Sequence, residues 1–125
     1  MAFVLEQSPT FTHPIIIREL RDGGKYRTHQ FEAIYRRLPQ SRMEEVQLQY
    51  QAMKAAAVRD QPLESIPTRE IAAEILQGWE GITNPDGSPV EFSESYKAQL
   101  LEVATVADVL VETFFDAHAK AKAKN

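Results

Sequence analysis

Three histidines, His13, His29 and His118, are the first residues to test for chemistry. None stands at metal-ligand spacing from another on one element. Asp116 and His118 lie two apart on a predicted helix and therefore point away from each other. Asn84-Pro85-Asp86-Gly87-Ser88 offers oxygens at alternate positions, as a calcium loop does. Its glycine, however, comes fourth instead of sixth, and the twelfth place is Ser95 instead of glutamate. Carboxylates crowd the second half (among them Glu70, Glu74, Glu80, Glu102, Asp108, Glu112 and Asp116), but no spacing singles out an acid–base pair. Gly23-Gly24 is too short to cradle phosphate, and no serine sits in a nucleophile-elbow sequence. No catalytic, cofactor-binding or metal residue is assigned, and a non-enzyme is expected.

The stretch from Gln77 to Glu94 organises the rest. It holds the single tryptophan and three of the five glycines. Trp79 closes an apolar stripe and is expected to be buried beneath the loop. Gly78 and Gly81 flank it, as where a helix stops and the chain turns. Asn84-Pro85-Asp86-Gly87 has type I turn chemistry. Phe92 ends an extended segment, and Ser93 is placed to cap the next helix, with Glu94 near its positive end. Gly78, Trp79, Gly81, Asp86, Gly87, Phe92 and Ser93 are thus the structural residues of this loop.

The totals describe one modest domain. The chain has 125 residues, 43% hydrophobic and 26% charged, and no cysteine. The absence of cysteine suits a cytoplasm and excludes disulfides and thiolate metal sites. No run approaches a membrane span, and the first residues lack the pattern of a signal peptide. A soluble cytoplasmic protein without membrane contact is expected. Charge is unevenly spread. Residues 1–59 carry nine Lys/Arg against six Asp/Glu, residues 60–119 carry two against twelve, and three lysines follow; the total is −4. The halves attract within one fold, or across a subunit boundary or toward a partner. The acidic half disfavours nucleic acid.

The periodicities predict an α+β fold, mostly α: an N-terminal β-hairpin followed by about four helices. β-branched Pro14–Leu20, the turn Asp22-Gly23-Gly24 and the segment from Lys25 to Arg36 read as the hairpin, with strands near 14–21 and 25–36. A helix over 31–38 is the competitor, because Phe31, Ile34 or Tyr35, and Leu38 also fit helical spacing. Residues 1–12 read as an arm or edge strand. Ser41 and Glu44 have capping-box spacing before a helix over about 42–59 with Val46, Tyr50, Met53 and Ala57 on one stripe. Pro67 opens a second helix to about Gln77, striped by Ile71, Ile75 and Trp79. A third, near 94–103, is expected to bury Tyr96, Leu100 and Val103. A fourth, capped near Thr105 and running to about Ala119, has a wide apolar arc. Val106, Val111 and Phe115 are the candidate partner-binding residues on that arc, with burial in the core as the competing reading. The body is one domain, residues 1–119, and residues 120–125 form a flexible lysine-rich tail.

Together these features resemble the tail assembly chaperones of long-tailed bacteriophages and prophages. The resemblance rests on Asp22-Gly23 in the early hairpin and on Phe31-Glu32-Ala33-Ile34-Tyr35-Arg36-Arg37-Leu38 before a helix opening with Glu44-Glu45. It continues in Gly78-Trp79-Glu80-Gly81-Ile82, Asp86-Gly87-Ser88-Pro89-Val90-Glu91-Phe92-Ser93, Phe114-Phe115 and the lysine-rich end. It implies a prophage protein that coats and solubilises the tape measure protein and recruits tail tube protein, without entering the finished virion. It also implies a longer frameshifted form, which Ala123-Lys124-Asn125 permits if their codons spell A-AAA-AAC. A small adaptor or regulatory module is the other reading. Homo-oligomerisation through the hairpin edge or the oppositely charged halves is expected with either.

Overall fold

Phe11, His13, Ile15 and Ile17 alternate with Thr12, Pro14, Ile16 and Arg18, so one face of the first strand turns inward and the other faces solvent. The computed structural model describes residue 3, residues 5–58 and residues 67–123. Strand β1 (Thr10–Leu20) and strand β2 (Tyr26–Arg36) form the expected antiparallel hairpin. Gly23 and Gly24 carry φ of 75° and 74° in the short 3-10 turn between them, a conformation glycine adopts without penalty. Residues 31–36 are strand, so the helical alternative is excluded. β1 begins earlier than its β-branched run because Arg37 anchors the preceding residues. Its backbone N–H donates to the Pro9 carbonyl at 2.9 Å, its Nε donates to the Ser8 carbonyl at 2.9 Å, and its guanidinium lies 5.2 Å from the Phe11 ring centre.

β1 is a free edge. Hydrogen bonds at both ends of the hairpin, Arg37 to Pro9 and Arg21 to Lys25, fix the odd-numbered residues of β1 as the ones bonded to β2. The even-numbered residues therefore point their backbone groups outward, and Pro14 among them has no N–H to offer. A proline there blunts the edge against strand addition.

Four helices follow: α1 (Gln40–Val58), α2 (Pro67–Ile75), α3 (Glu94–Glu102) and α4 (Val106–Ala123). α1 starts at Gln40, with Pro39 in the cap position two residues before the expected Ser41 cap. Met43 N–H donates to the Pro39 carbonyl at 2.9 Å, which puts Ser41 inside the helix. Proline just ahead of the first turn gives up no helical bond, because its carbonyl accepts the first one and no intrahelical acceptor awaits an N–H there. The expected end of this helix, Arg59 to Pro62, lies outside the described residues. α4 continues to Ala123, so Lys120–Ala123 is helical instead of a loose tail; alanine and lysine both favour helix, and the lysines complement its negative end.

A third strand was not expected. Leu76–Glu80 leaves α2 directly as β3 and pairs with β2, giving the order β1-β2-β3. Helical spacing of Ile71, Ile75 and Trp79 suggested one helix; pairing with residues 32–35 of β2 wins from Leu76 onward. Gly78 consequently sits opposite Ile34 in the sheet and not at a helix end. A Cβ at Gly78 would come within 3.2 Å of the Ile34 side chain, so close packing there favours glycine.

The helices cover one face of the sheet. Ile15, Phe31, Ala33 and Tyr35 from the strands meet Val46, Ile71, Ile75, Leu110, Val111 and Phe114 in one core. Tyr35 Oη donates to the Leu110 carbonyl at 2.7 Å, which satisfies the buried hydroxyl and ties β2 to α4. Burial pushes that phenol well above its ordinary range. Arg42 spans α1 and α2, donating from Nε and from a terminal nitrogen to the two carboxylate oxygens of Glu74 at 2.8 and 2.6 Å.

Candidate partner-binding groove

α3 determines the site. Ser93 caps it as expected, its Oγ accepting from Tyr96 N–H at 3.1 Å. The face turned to the core is different from the expected one. Lys97 and Leu101 are buried, whereas Tyr96 is 46% and Val103 53% exposed, with Leu100 half-buried. The reason is at the end of α2. Lys97 Nζ donates to the Ala73 carbonyl at 2.7 Å and to the Leu76 carbonyl at 3.3 Å, where the helix gives way to β3. Those carbonyls need a donor, and a buried lysine supplies one. Rotating α3 to bury Lys97 turns the stripe Tyr96, Leu100, Val103 outward.

The loop from Gly81 to Ser93 holds the other wall. Gly87 N–H donates to the Asn84 carbonyl at 2.9 Å, closing the expected turn. Asp86 Oδ1 accepts from Ser88 N–H at 2.9 Å and from its hydroxyl at 2.6 Å. These bonds, the hydroxyl's first, hold the Asp86 carboxyl below its ordinary value. Asp86 Oδ1 thus braces the turn. Beyond it, Val90 N–H donates to the Ile82 carbonyl at 2.8 Å, folding the loop back on itself. Trp79 is buried beneath this loop as expected: its Nε1 donates to the Val90 carbonyl at 2.8 Å, and Phe92 meets its ring edge-on at 4.9 Å. Gly81 has φ of 90°, which only glycine adopts freely, and it lies against Phe31.

Between the hairpin's inner face, this loop and α3 runs an open groove of about 790 Å³. Ile17, Phe31, Ile82, Leu100, Val103 and Val106 give it an apolar floor, and Glu19, Arg27 and His29 rim the hairpin end. It meets a second hollow of about 280 Å³, bounded by Trp79, Val90, Tyr96 and Gln99, through the shared residues Ile82, Asn84, Leu100 and Val103. The result is one trough with an aliphatic helix face along its side. Such a surface suits the apolar stripe of an amphipathic helix.

The expected partner-binding residues fall differently. Val106 is only 2% exposed and borders the groove floor; Val111 is fully buried in the core. Phe115 is half-buried, 5.2 Å from the Tyr50 ring and 5.6 Å from Phe114. α4 spends most of its wide arc inside the fold. The residues the sequence placed inside, Tyr96 and Val103, are the exposed ones. The signal for them was present as the helical stripe of α3; its direction was not.

His13 and His118 border one small hollow beside Phe11 and Arg37, whereas His29 lies on the hairpin next to Glu19. His29 Nε2 is 3.3 Å from Glu19 Oε1, His13 Nδ1 is 2.9 Å from the Pro14 carbonyl, and His118 Nδ1 is 2.8 Å from the Phe114 carbonyl. The His29 and Arg21 contacts hold the exposed Glu19 carboxyl below its ordinary value. Among the described residues, no group of three or more His, Asp or Glu could hold a metal ion, and no helix is long and apolar enough to cross a membrane.

A family model described as YdaY prophage protein matches residues 34–125, from the end of β2 through all four helices. The chain belongs to that prophage protein family. No curated protein and no solved structure matches it.

Proposed function

We propose that this member of a prophage protein family is a tail assembly chaperone whose groove takes an apolar helical segment of the tape measure protein. The observation that carries the reading is the outward stripe Tyr96, Leu100, Val103 set along the 790 Å³ trough, so that apolar side chains and a groove fall together on one surface. A long helix with an exposed apolar stripe self-associates unless that stripe is covered. A small protein covers it by lending a complementary apolar surface, and the family resemblance adds recruitment of tail tube protein to the proposal.

Co-expression with tape measure segments tests this. Wild-type protein keeps a helical tape measure segment in the soluble fraction and co-purifies with it. Leu100→Asp with Val103→Asp abolishes co-purification while the chain stays folded. Retention of the complex by that double variant, with the fold intact, refutes the groove as the site. Failure of every tape measure segment to bind, together with a gene neighbourhood lacking tail genes, favours a small adaptor or regulatory module instead.

A further inference from the structure

The fold uses the charge asymmetry of the chain only in part, through the Arg42–Glu74 pair and the field of Arg36 on Glu74. The hairpin with its flanks, residues 10–37, has six Lys/Arg against three Asp/Glu, and residues 67–118 have two against ten. Among the described residues, no ion pair joins the two. Arg21 and His29 pair with Glu19 inside the hairpin, Arg42 pairs with Glu45 and Glu74, Arg69 with Glu102, and Lys97 with Glu94.

Both charged surfaces are outward and shaped to be met. β3 braces β2 only over residues 32–35, and residues 18–30 are all exposed, so the hairpin tip projects as an arm. Its outer face, opposite the groove, carries Leu20 and Tyr26 at 70% and 60% exposure as cross-strand partners. Arg18 lies 5.2 Å from the Tyr26 ring centre, and Lys25 sits at the turn. On α4, Asp108, Glu112 and Asp116 recur every fourth residue as an exposed stripe. None is in an ion pair among the described residues; Lys54 lies over the Tyr50 ring instead, 4.6 Å from its centre. Burial first, then the field of these three carboxylates, pushes the Tyr50 hydroxyl up to about 12.

We propose that the outer face of the hairpin arm docks on the α4 carboxylate stripe of a second copy of this chain. Arg18 and Lys25 meet the carboxylates, and Leu20 and Tyr26 supply the apolar contact between them. The two surfaces differ, so the contact is heterologous, and each copy keeps one free arm and one free stripe. Association therefore continues into a ring or an open row. The blunted β1 edge and the groove take no part, so the proposal stands apart from the function above.

Sedimentation velocity at 50 and 500 mM salt, with two charge-reversed variants, tests it. Wild type forms concentration-dependent oligomers at low salt and dissociates at high salt. Arg18→Glu/Lys25→Glu and Glu112→Lys/Asp116→Lys, all at exposed positions, each weaken association by about tenfold or more. Mixed together, the two variants associate again, because the intact arm of one meets the intact stripe of the other and the two reversed surfaces attract in turn. A wild type that stays monomeric at low salt overturns the proposal. So does association insensitive to the α4 reversal, or a mixture of folded variants that forms no complex.

Discussion

Lys97 Nζ reaches across from α3 to within 2.7 Å of the Ala73 carbonyl, in the last turn of α2. This one bond decides two things: α2 ends without a glycine, and α3 presents its apolar stripe to solvent. Removing the amine leaves the Ala73 and Leu76 carbonyls without that donor.

Lys97→Met is therefore expected to lower stability by about 2 kcal/mol, the cost of leaving buried acceptors unsatisfied. Urea unfolding followed by Trp79 fluorescence measures it. Glu94→Gln is the control, because the Glu94 carboxylate is 83% exposed and 3.5 Å from Nζ. That substitution should shift stability by less than about 0.5 kcal/mol. An equal loss from both would mean that the ion pair, and not the carbonyls, holds Lys97 in place.

Much of this architecture could be read in advance, and the failures have physical causes. The hairpin was legible because β-branched strands flank a Gly-Gly turn. Ser93, Trp79 and the 84–87 turn were legible because capping and turn chemistry are local. β3 was not, since Ile71, Ile75 and Trp79 fit a helix and only distant pairing with β2 breaks it. Nor was the orientation of α3. Periodicity reports that Tyr96, Leu100 and Val103 share a face; it does not say whether the chain's own core or another molecule covers that face. The groove was hidden for the same reason, because a lysine was not expected to take the buried side.

Thr105 supplies a second test. Its φ is 71°, a left-handed conformation that a β-branched residue adopts only under constraint, and it links α3 to α4. Its carbonyl accepts from Val109 N–H at 3.0 Å, so the strained residue also opens α4. Asparagine tolerates this backbone without the chain entropy that glycine adds. Thr105→Asn should raise stability by about 0.5–1 kcal/mol. Thermal unfolding checks it; a lowered midpoint would show that the threonine side chain contributes more than its backbone costs.

The Arg42–Glu74 pair predicts a pH dependence. Hydrogen bonding from Arg42 holds the Glu74 carboxyl below its ordinary value of 4.5. The stabilisation is thus fully present above about 4.5 and is lost as pH falls through the lower folded value. Glu74→Gln removes the titration while keeping the shape. Wild type should be the more stable protein at pH 7, and the two unfolding curves should converge as pH drops below 4.5. Glu19 and Asp86, whose carboxyls are also depressed, titrate in both proteins and cancel in the difference. A gap that persists unchanged to low pH would mean the pair contributes through packing alone.

Phe115 and Val103 settle which apolar surface belongs to the core. Phe115 is wedged against Tyr50 and Phe114, and an aspartate there would place a carboxylate among aromatic rings and near the Glu112 and Asp116 side chains of its own helix. The loss should exceed about 2 kcal/mol, from buried aromatic area and an uncompensated charge together. Val103 is 53% exposed at the groove, where a carboxylate keeps its water. Val103→Asp should change stability by less than about 0.5 kcal/mol. Parallel denaturant titrations of the two variants compare them directly. The contrast assigns α4 to the fold and α3 to the surface offered outward. If Phe115→Asp were tolerated and Val103→Asp unfolded the chain, that assignment would be reversed, and the wide arc of α4 would become the exposed apolar face.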